Sequence, residues 1–246
     1  MRFLSLYATV QDATSRLLRI ALILGLFSSA GRAELILFES GALGRTGVTW
    51  DEVLAGNVPS SSISPAVFSG VRFELAHTVA TSKIGVHLVG SSVSLDTCFG
   101  AIVALEDQAD FPDSENLSTP DVLGHTIIPF PEVSKEVFGE LDLVLAPGWY
   151  AIVLGSGLFD TTGNGAMPLN NPDLGSPDYV ARQLGAGWFD LSDLSDVRQF
   201  DDYRFTLVGQ AIPEPNTLLM GLIGLGLMRT LQRSIGRSAI PCSIDR

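Results

Sequence analysis

Histidine and cysteine are scarce in this chain: its 246 residues include three histidines and two cysteines. Cys98 stands alone in the middle and Cys242 lies near the end beyond an apolar run, so no disulfide framework can be drawn. Beside Phe99 and with no neighbouring His or Lys, Cys98 reads as a small buried hydrophobe rather than a reactive thiol. His77, His87 and His125 fall in no ligand-like spacing with each other or with cysteine, which argues against a zinc site. His87 falls within a predicted strand, where it is expected to face solvent or be hydrogen-bonded. Gly155-Ser156-Gly157 lacks the outer glycine spacing of a nucleophile elbow, so a serine hydrolase has no motif to rest on.

Positive charge is equally sparse away from the ends. Between Glu34 and Pro213 there are 24 Asp and Glu against 7 Lys and Arg, a net of 17 negative charges. The remaining 8 of the 15 basic residues sit in the two ends. An acidic body repels phosphate backbones, and nucleic-acid binding needs clustered cations to release counterions, so DNA and RNA are excluded as partners. Long hydrophobic runs are missing too. The longest are Ile20–Phe27 and Leu218–Met228, both short of the ~20 residues that span a bilayer comfortably. With 46% hydrophobic and 17% charged residues, the chain nevertheless has enough apolar mass for a packed core.

The apolar runs mark processing segments. Arg2, Arg16 and Arg19 precede Ile20–Phe27, and Ser28-Ser29-Ala30-Gly31 and Arg32-Ala33 follow. Basic start, short apolar stretch and small residues make the layout of a secretory signal peptide over 1–33, with cleavage expected after Ala33. At the other end Pro213-Glu214-Pro215 introduces the eleven apolar or glycine residues Leu218–Met228, and Arg229, Arg233 and Arg237 close them. Cations retained on the cytoplasmic side orient such a segment with the body outside. The two prolines keep its entry extended.

This order of Pro-Glu-Pro, short Leu/Gly-rich helix and arginines, in a chain that begins with a signal peptide, resembles the PEP-CTERM sorting signal of Gram-negative bacteria. The resemblance covers about 25 residues. It implies that exosortase, an integral inner-membrane cysteine protease, recognises Pro213, Glu214 and Pro215 and cuts near them, while Arg229, Arg233 and Arg237 hold the segment in the membrane. It also implies delivery to the cell surface or exterior, in company with exopolysaccharide. The chain then divides into signal peptide 1–33, exported domain 34–210, sorting signal 211–237 and tail 238–246.

Within 34–210 helical periodicity is absent, and short β-rich runs alternate with Gly, Pro, Ser and Asp clusters. Val71, Phe73 and Leu75 alternate with Arg72 and Glu74, and Tyr203, Phe205 and Leu207 with Arg204 and Thr206, as half-buried strands require. Further strands are expected at Leu35–Glu39, Ile84–Val89, Phe99–Leu105, Val122–Ile128, Val137–Leu145, Trp149–Leu154 and Tyr179–Leu184. Pro147-Gly148 predicts a type II turn joining two of them into a hairpin. The connection Ser156–Asp178 is expected to be irregular. About nine strands in one domain predict an all-β, jelly-roll-like β-sandwich, flanked by an N-terminal signal helix and a short C-terminal transmembrane helix.

Candidate ligand chemistry is sparse. Asp160 and Asn164 beside glycines, and Asp190, Asp193 and Asp196 at intervals of three, offer the hard oxygens of a structural calcium site, although neither group matches an EF-hand and solvated loops account for both. Among Trp50, Trp149, Tyr150, Trp188 and Phe189, the pair Trp188-Phe189 is the candidate for stacking on a sugar ring, with core packing the competing role. Glu140 and Asp142 lie on one predicted strand; a secreted polysaccharide hydrolase built on them would have a poorly placed pair. The leading expectation is a non-enzymatic exported protein of the cell surface or biofilm matrix that needs no cofactor. A carbohydrate-binding or adhesive module comes second, and the hydrolase third.

Overall fold

A computed structural model describes residues 34–91, 96–191 and 202–213. Both expected terminal helices, Glu214, Pro215, Arg229, Arg233, Arg237, Asp193 and Asp196 lie outside these described residues. In chain order the strands are β1 (Leu35–Glu39), β2 (Ser60–Ile63), β3 (Val67–Leu75), β4 (Val79–Gly90), β5 (Thr97–Leu105), β6 (Val122–Pro129) and β7 (Lys135–Glu140). They continue with β8 (Val144–Leu145), β9 (Gly148–Gly155), β10 (Gly165–Pro168), β11 (Asp178–Gln183), β12 (Gly187–Asp190) and β13 (Phe205–Ala211). One short helix, α1 (Trp50–Leu54), starts at a capping box in which Thr49 and Glu52 satisfy each other's backbone amides. Among the described residues no helix is long and apolar enough to cross a membrane.

The strands form two antiparallel sheets. One runs β1-β13-β4-β10-β2, with β7 and β8 also paired to the long β4; the other runs β12-β11-β3-β9-β5-β6. Their facing sides share one core. Val71 and Phe73 of β3, Ile102 of β5, and Ile152 and Leu154 of β9 pack in a single cluster with Ile84, Val86 and Leu88 of β4 and Phe205 and Leu207 of β13. Two sheets burying one apolar layer between them make the fold all-β and sandwich-like.

The second sheet is also apolar on part of its other side. Side chains alternate between faces, so Phe99, Ala101 and Val103 of β5 and Ala151 and Val153 of β9 point away from the shared core. They form a second cluster with Phe68 and Leu117, covered by Leu158, Phe159 and Trp188. Gly155 at the end of β9 has no room for a side chain: an added Cβ would lie 2.3 Å from Phe68 and 2.6 Å from Phe99, whose rings meet edge-on. Double-sided burial explains why Phe99–Leu105 and Trp149–Leu154 are near-continuous apolar runs rather than alternating ones.

Four local expectations are corrected. The run Val137–Leu145 is broken into β7 and β8, because the Thr81 hydroxyl inserts between them, donating to the Leu141 carbonyl at 2.6 Å and accepting from the Leu143 amide at 3.0 Å. Pro147-Gly148 does not close a hairpin. β8 pairs with β4 in the first sheet, whereas Gly148 already pairs with Leu75 in the second, so the corner carries the chain from one sheet to the other. Gly148 sits at φ 155°, far from the ~+80° of a type II turn, and the Tyr150 hydroxyl braces the corner by donating to the Ala146 carbonyl at 2.8 Å. Ser156–Asp178 contains a strand, β10, held between β2 and β4. Arg72, Arg204 and Thr206, expected on solvated faces, are all buried, at 5%, 5% and 1% exposure.

Candidate functional site

Among the described residues the sheet hydrogen bonding stops at the start of the Pro-Glu-Pro motif. β13 runs to Ala211, the Ile212 amide donates to the Thr78 carbonyl at 2.9 Å, and Pro213 is exposed one residue later.

A second region of interest lies on the outer face of the second sheet, beside the loop-covered apolar cluster. Val71 and Phe73 face the shared core, so Arg72 and Glu74 of β3 must face outward. Registry sets Asp178 of β11 opposite Arg72 and Trp149 of β9 opposite Glu74, producing a polar and aromatic row across adjacent strands. Asp190, at the end of β12, completes it. Arg72 Nη2 donates to Asp178 Oδ1 at 2.6 Å and to Asp190 Oδ2 at 2.5 Å; Arg72 Nη1 reaches the Asp110 carbonyl at 3.4 Å. The guanidinium also lies 5.1 Å from the Phe111 ring centroid, and its Nε has no partner among the described residues. Burial lowers the Arg72 pKa, but the hydrogen bonds and charges of Asp178 and Asp190 outweigh it, leaving the pKa above its ordinary value.

Above this row the surface opens into a cleft of about 450 Å³ lined by Arg72, Gln108, Pro177, Asp178 and Asp190. An adjoining hollow of about 260 Å³ shares Arg72, Gln108, Pro177 and Asp178 and adds Phe38, Glu74 and Trp149. Gln108, on the loop after β5, is exposed and donates to Asp178 Oδ2 at 3.3 Å.

The first sheet holds a comparable group. Arg204 Nε donates to Glu136 Oε1 at 2.8 Å, and Nη1 contacts both Glu39 and the Gly41 carbonyl. Thr206 donates to the same Glu136 oxygen at 3.1 Å. His87 is fully buried nearby, with Nδ1 2.8 Å from Asn171 Oδ1 and Nε2 unpartnered among the described residues. Burial depresses its pKa; the Asn171 hydrogen bond and the Glu136 charge oppose this, and the Arg204 charge reinforces it. Burial pushes the Cys98 thiol far up, consistent with an inert core residue.

The residues singled out from sequence are dispersed. Trp188 lies on β12 with its ring 6.4 Å from Phe68 and its indole donating to the Ser114 carbonyl at 3.2 Å, while Phe189 packs against the shared core. Both are half-buried. Asp160 and Asn164 are exposed in the loop between β9 and β10, and Asp190 is tied to Arg72. Among the described residues no three His, Cys, Asp or Glu side chains group so as to hold a metal. Glu140 and Asp142 are both exposed, Glu140 ending β7 and Asp142 lying in the break before β8. His125 stacks on Phe159, with centroids 3.9 Å apart.

Nothing in the sequence marks Gln108 or Asp178 as site residues, and the alternation around Arg72 predicts a solvent-facing side chain. The available signal was weak: Arg72 interrupts an apolar alternation, and Asp178 opens a strand directly after Pro177. No protein-family model matches the chain, and no curated protein matches it.

Proposed function

We propose that this protein is a non-enzymatic, exported component of the cell surface or extracellular matrix, delivered through exosortase and associated with exopolysaccharide. Its body is a jelly-roll-like β-sandwich, and 211–237, which starts at the last residue of β13, carries the sorting signal. The observation that carries the reading is positional. The last strand ends at Ala211 and Pro213 is exposed, so the motif Pro213-Glu214-Pro215 begins where the sheet's hydrogen bonding stops. A membrane protease needs an accessible, extended peptide, and prolines flanking one glutamate supply it.

Export also accounts for the composition. A body with 17 net negative charges and a single buried cysteine tolerates an oxidising exterior and stays soluble among anionic surfaces. A carbohydrate-binding role is the second reading, favoured by the cleft at Arg72, Gln108 and Trp149 rather than by Trp188 and Phe189.

The test is fractionation of a Gram-negative host with and without exosortase. Wild-type protein is expected outside the inner membrane when exosortase is present and in the inner-membrane fraction when it is absent. Glu214→Ala is expected to stay in the inner membrane in both hosts. Equal release of all four samples would overturn the reading.

A further inference from the structure

We propose that the cleft over Arg72 is a binding site for a neutral hexose unit of a polysaccharide, with Trp149 as its stacking platform and Gln108, Asp178 and Asp190 as its hydroxyl-recognising groups. The inference rests on the cleft and holds whether or not the chain is cut by exosortase.

Three features of the cleft select this ligand class. Its larger space, about 450 Å³, falls within the ~300–1,000 Å³ usual for small-ligand sites, and the smaller one of about 260 Å³ shares Arg72, Gln108 and Asp178 with it. The smaller space pairs half-buried aromatic surface, Trp149 and Phe38, with Arg72, Gln108 and Asp178, and the larger one adds Asp190. Sugar rings present one apolar face and a rim of hydroxyls that both donate and accept, and this lining answers both. Rigidity is the third feature. Arg72 is anchored by two carboxylates and a backbone carbonyl, so Asp178 and Asp190 are held in place before any ligand arrives.

Charge excludes the alternatives. Glu74, Asp178 and Asp190 outnumber Arg72 three to one, so a uronate, sulfate or phosphate would meet net repulsion. A divalent cation is disfavoured because the guanidinium already occupies the space between Asp178 and Asp190.

Affinity electrophoresis of the purified full-length protein through gels containing dextran, laminarin, hydroxyethylcellulose, mannan or alginate tests this. At least one neutral polymer is expected to retard the wild type, and alginate is not. Trp149→Ala should weaken that retardation by about tenfold or more, and Gln108→Ala by about fivefold, the size of one lost hydrogen bond. Gln108 is exposed, so its variant should melt as the wild type does and report binding free of any folding defect. The proposal is overturned if no neutral polymer retards the wild type, if alginate retards it equally, or if Gln108→Ala and Trp149→Ala both bind as the wild type.

Discussion

Arg72 and Arg204 occupy the same local sequence, an apolar residue before and a phenylalanine after, and each is buried between two carboxylates. What surrounds them differs. Arg204 joins the two ends of the body: Glu39 ends β1 and Gly41 follows it, Arg204 precedes β13, and Glu136 belongs to β7. Its contacts close the first sheet. Arg72 joins β3, β11 and β12 at the edge of the second sheet and lines an open cleft. One ion-paired arginine therefore serves closure, and the other also builds a surface that a ligand can reach.

The largest test of this contrast is to remove each guanidinium. Arg204→Met leaves Glu39 and Glu136 crowded without a counter-charge and the Gly41 carbonyl without its donor. Breaking a buried pair by removing one partner costs ~3–5 kcal/mol, or ~10 °C of melting temperature in a domain of this size. Arg72→Met should cost less, about 2–3 kcal/mol: its carboxylates are as exposed as those of Arg204, but its carbonyl contact, to Asp110, is long at 3.4 Å and only partly buried, so no buried acceptor loses its donor. Urea melts of the two variants side by side check the order, and a reversal would erase the distinction.

A pH series sharpens it further. His87 lies with Glu136, Arg204 and Asn171 on the closure side, and its pKa is depressed below 6.5. The unfolded chain therefore binds a proton before the folded one does as pH falls. Stability contributed by neutral His87 is full above about 6.5 and declines below it, by up to ~1.4 kcal/mol per pH unit. Melts from pH 7.5 to 5 should show this loss in the wild type and little of it in His87→Gln. The smallest expected effect is Gln108→Ala, whose stability should stay within about 0.5 kcal/mol of the wild type. A larger change would mean that Gln108 holds Asp178 in the fold rather than serving the cleft.

These contrasts show where sequence reading succeeds and where it stops. β1 is legible residue for residue, and β5, β6, β9 and β11 nearly so, because apolar density bounded by turn residues reports local extension. β2 is Ser-Ser-Ser-Ile; it is a strand only because β10, a hundred residues away, pairs with it. The Pro147-Gly148 corner looks like a hairpin locally, and only the separate partners of β8 and β9 reveal a change of sheet. Alternation correctly sets Arg72 on the face opposite Phe73, but it carries no information about whether a loop and a neighbouring strand cover that face. The cleft escaped for the same reason: Trp149, Gln108, Asp178 and Asp190 come from four separate parts of the chain.

Intact mass of the exported protein is the most direct test of the proposed processing. A species that begins at Glu34 and ends near Pro213–Pro215, with the apolar segment removed, is expected when exosortase is present. A mature protein whose mass still includes Cys242 and the residues through Arg246 would contradict it.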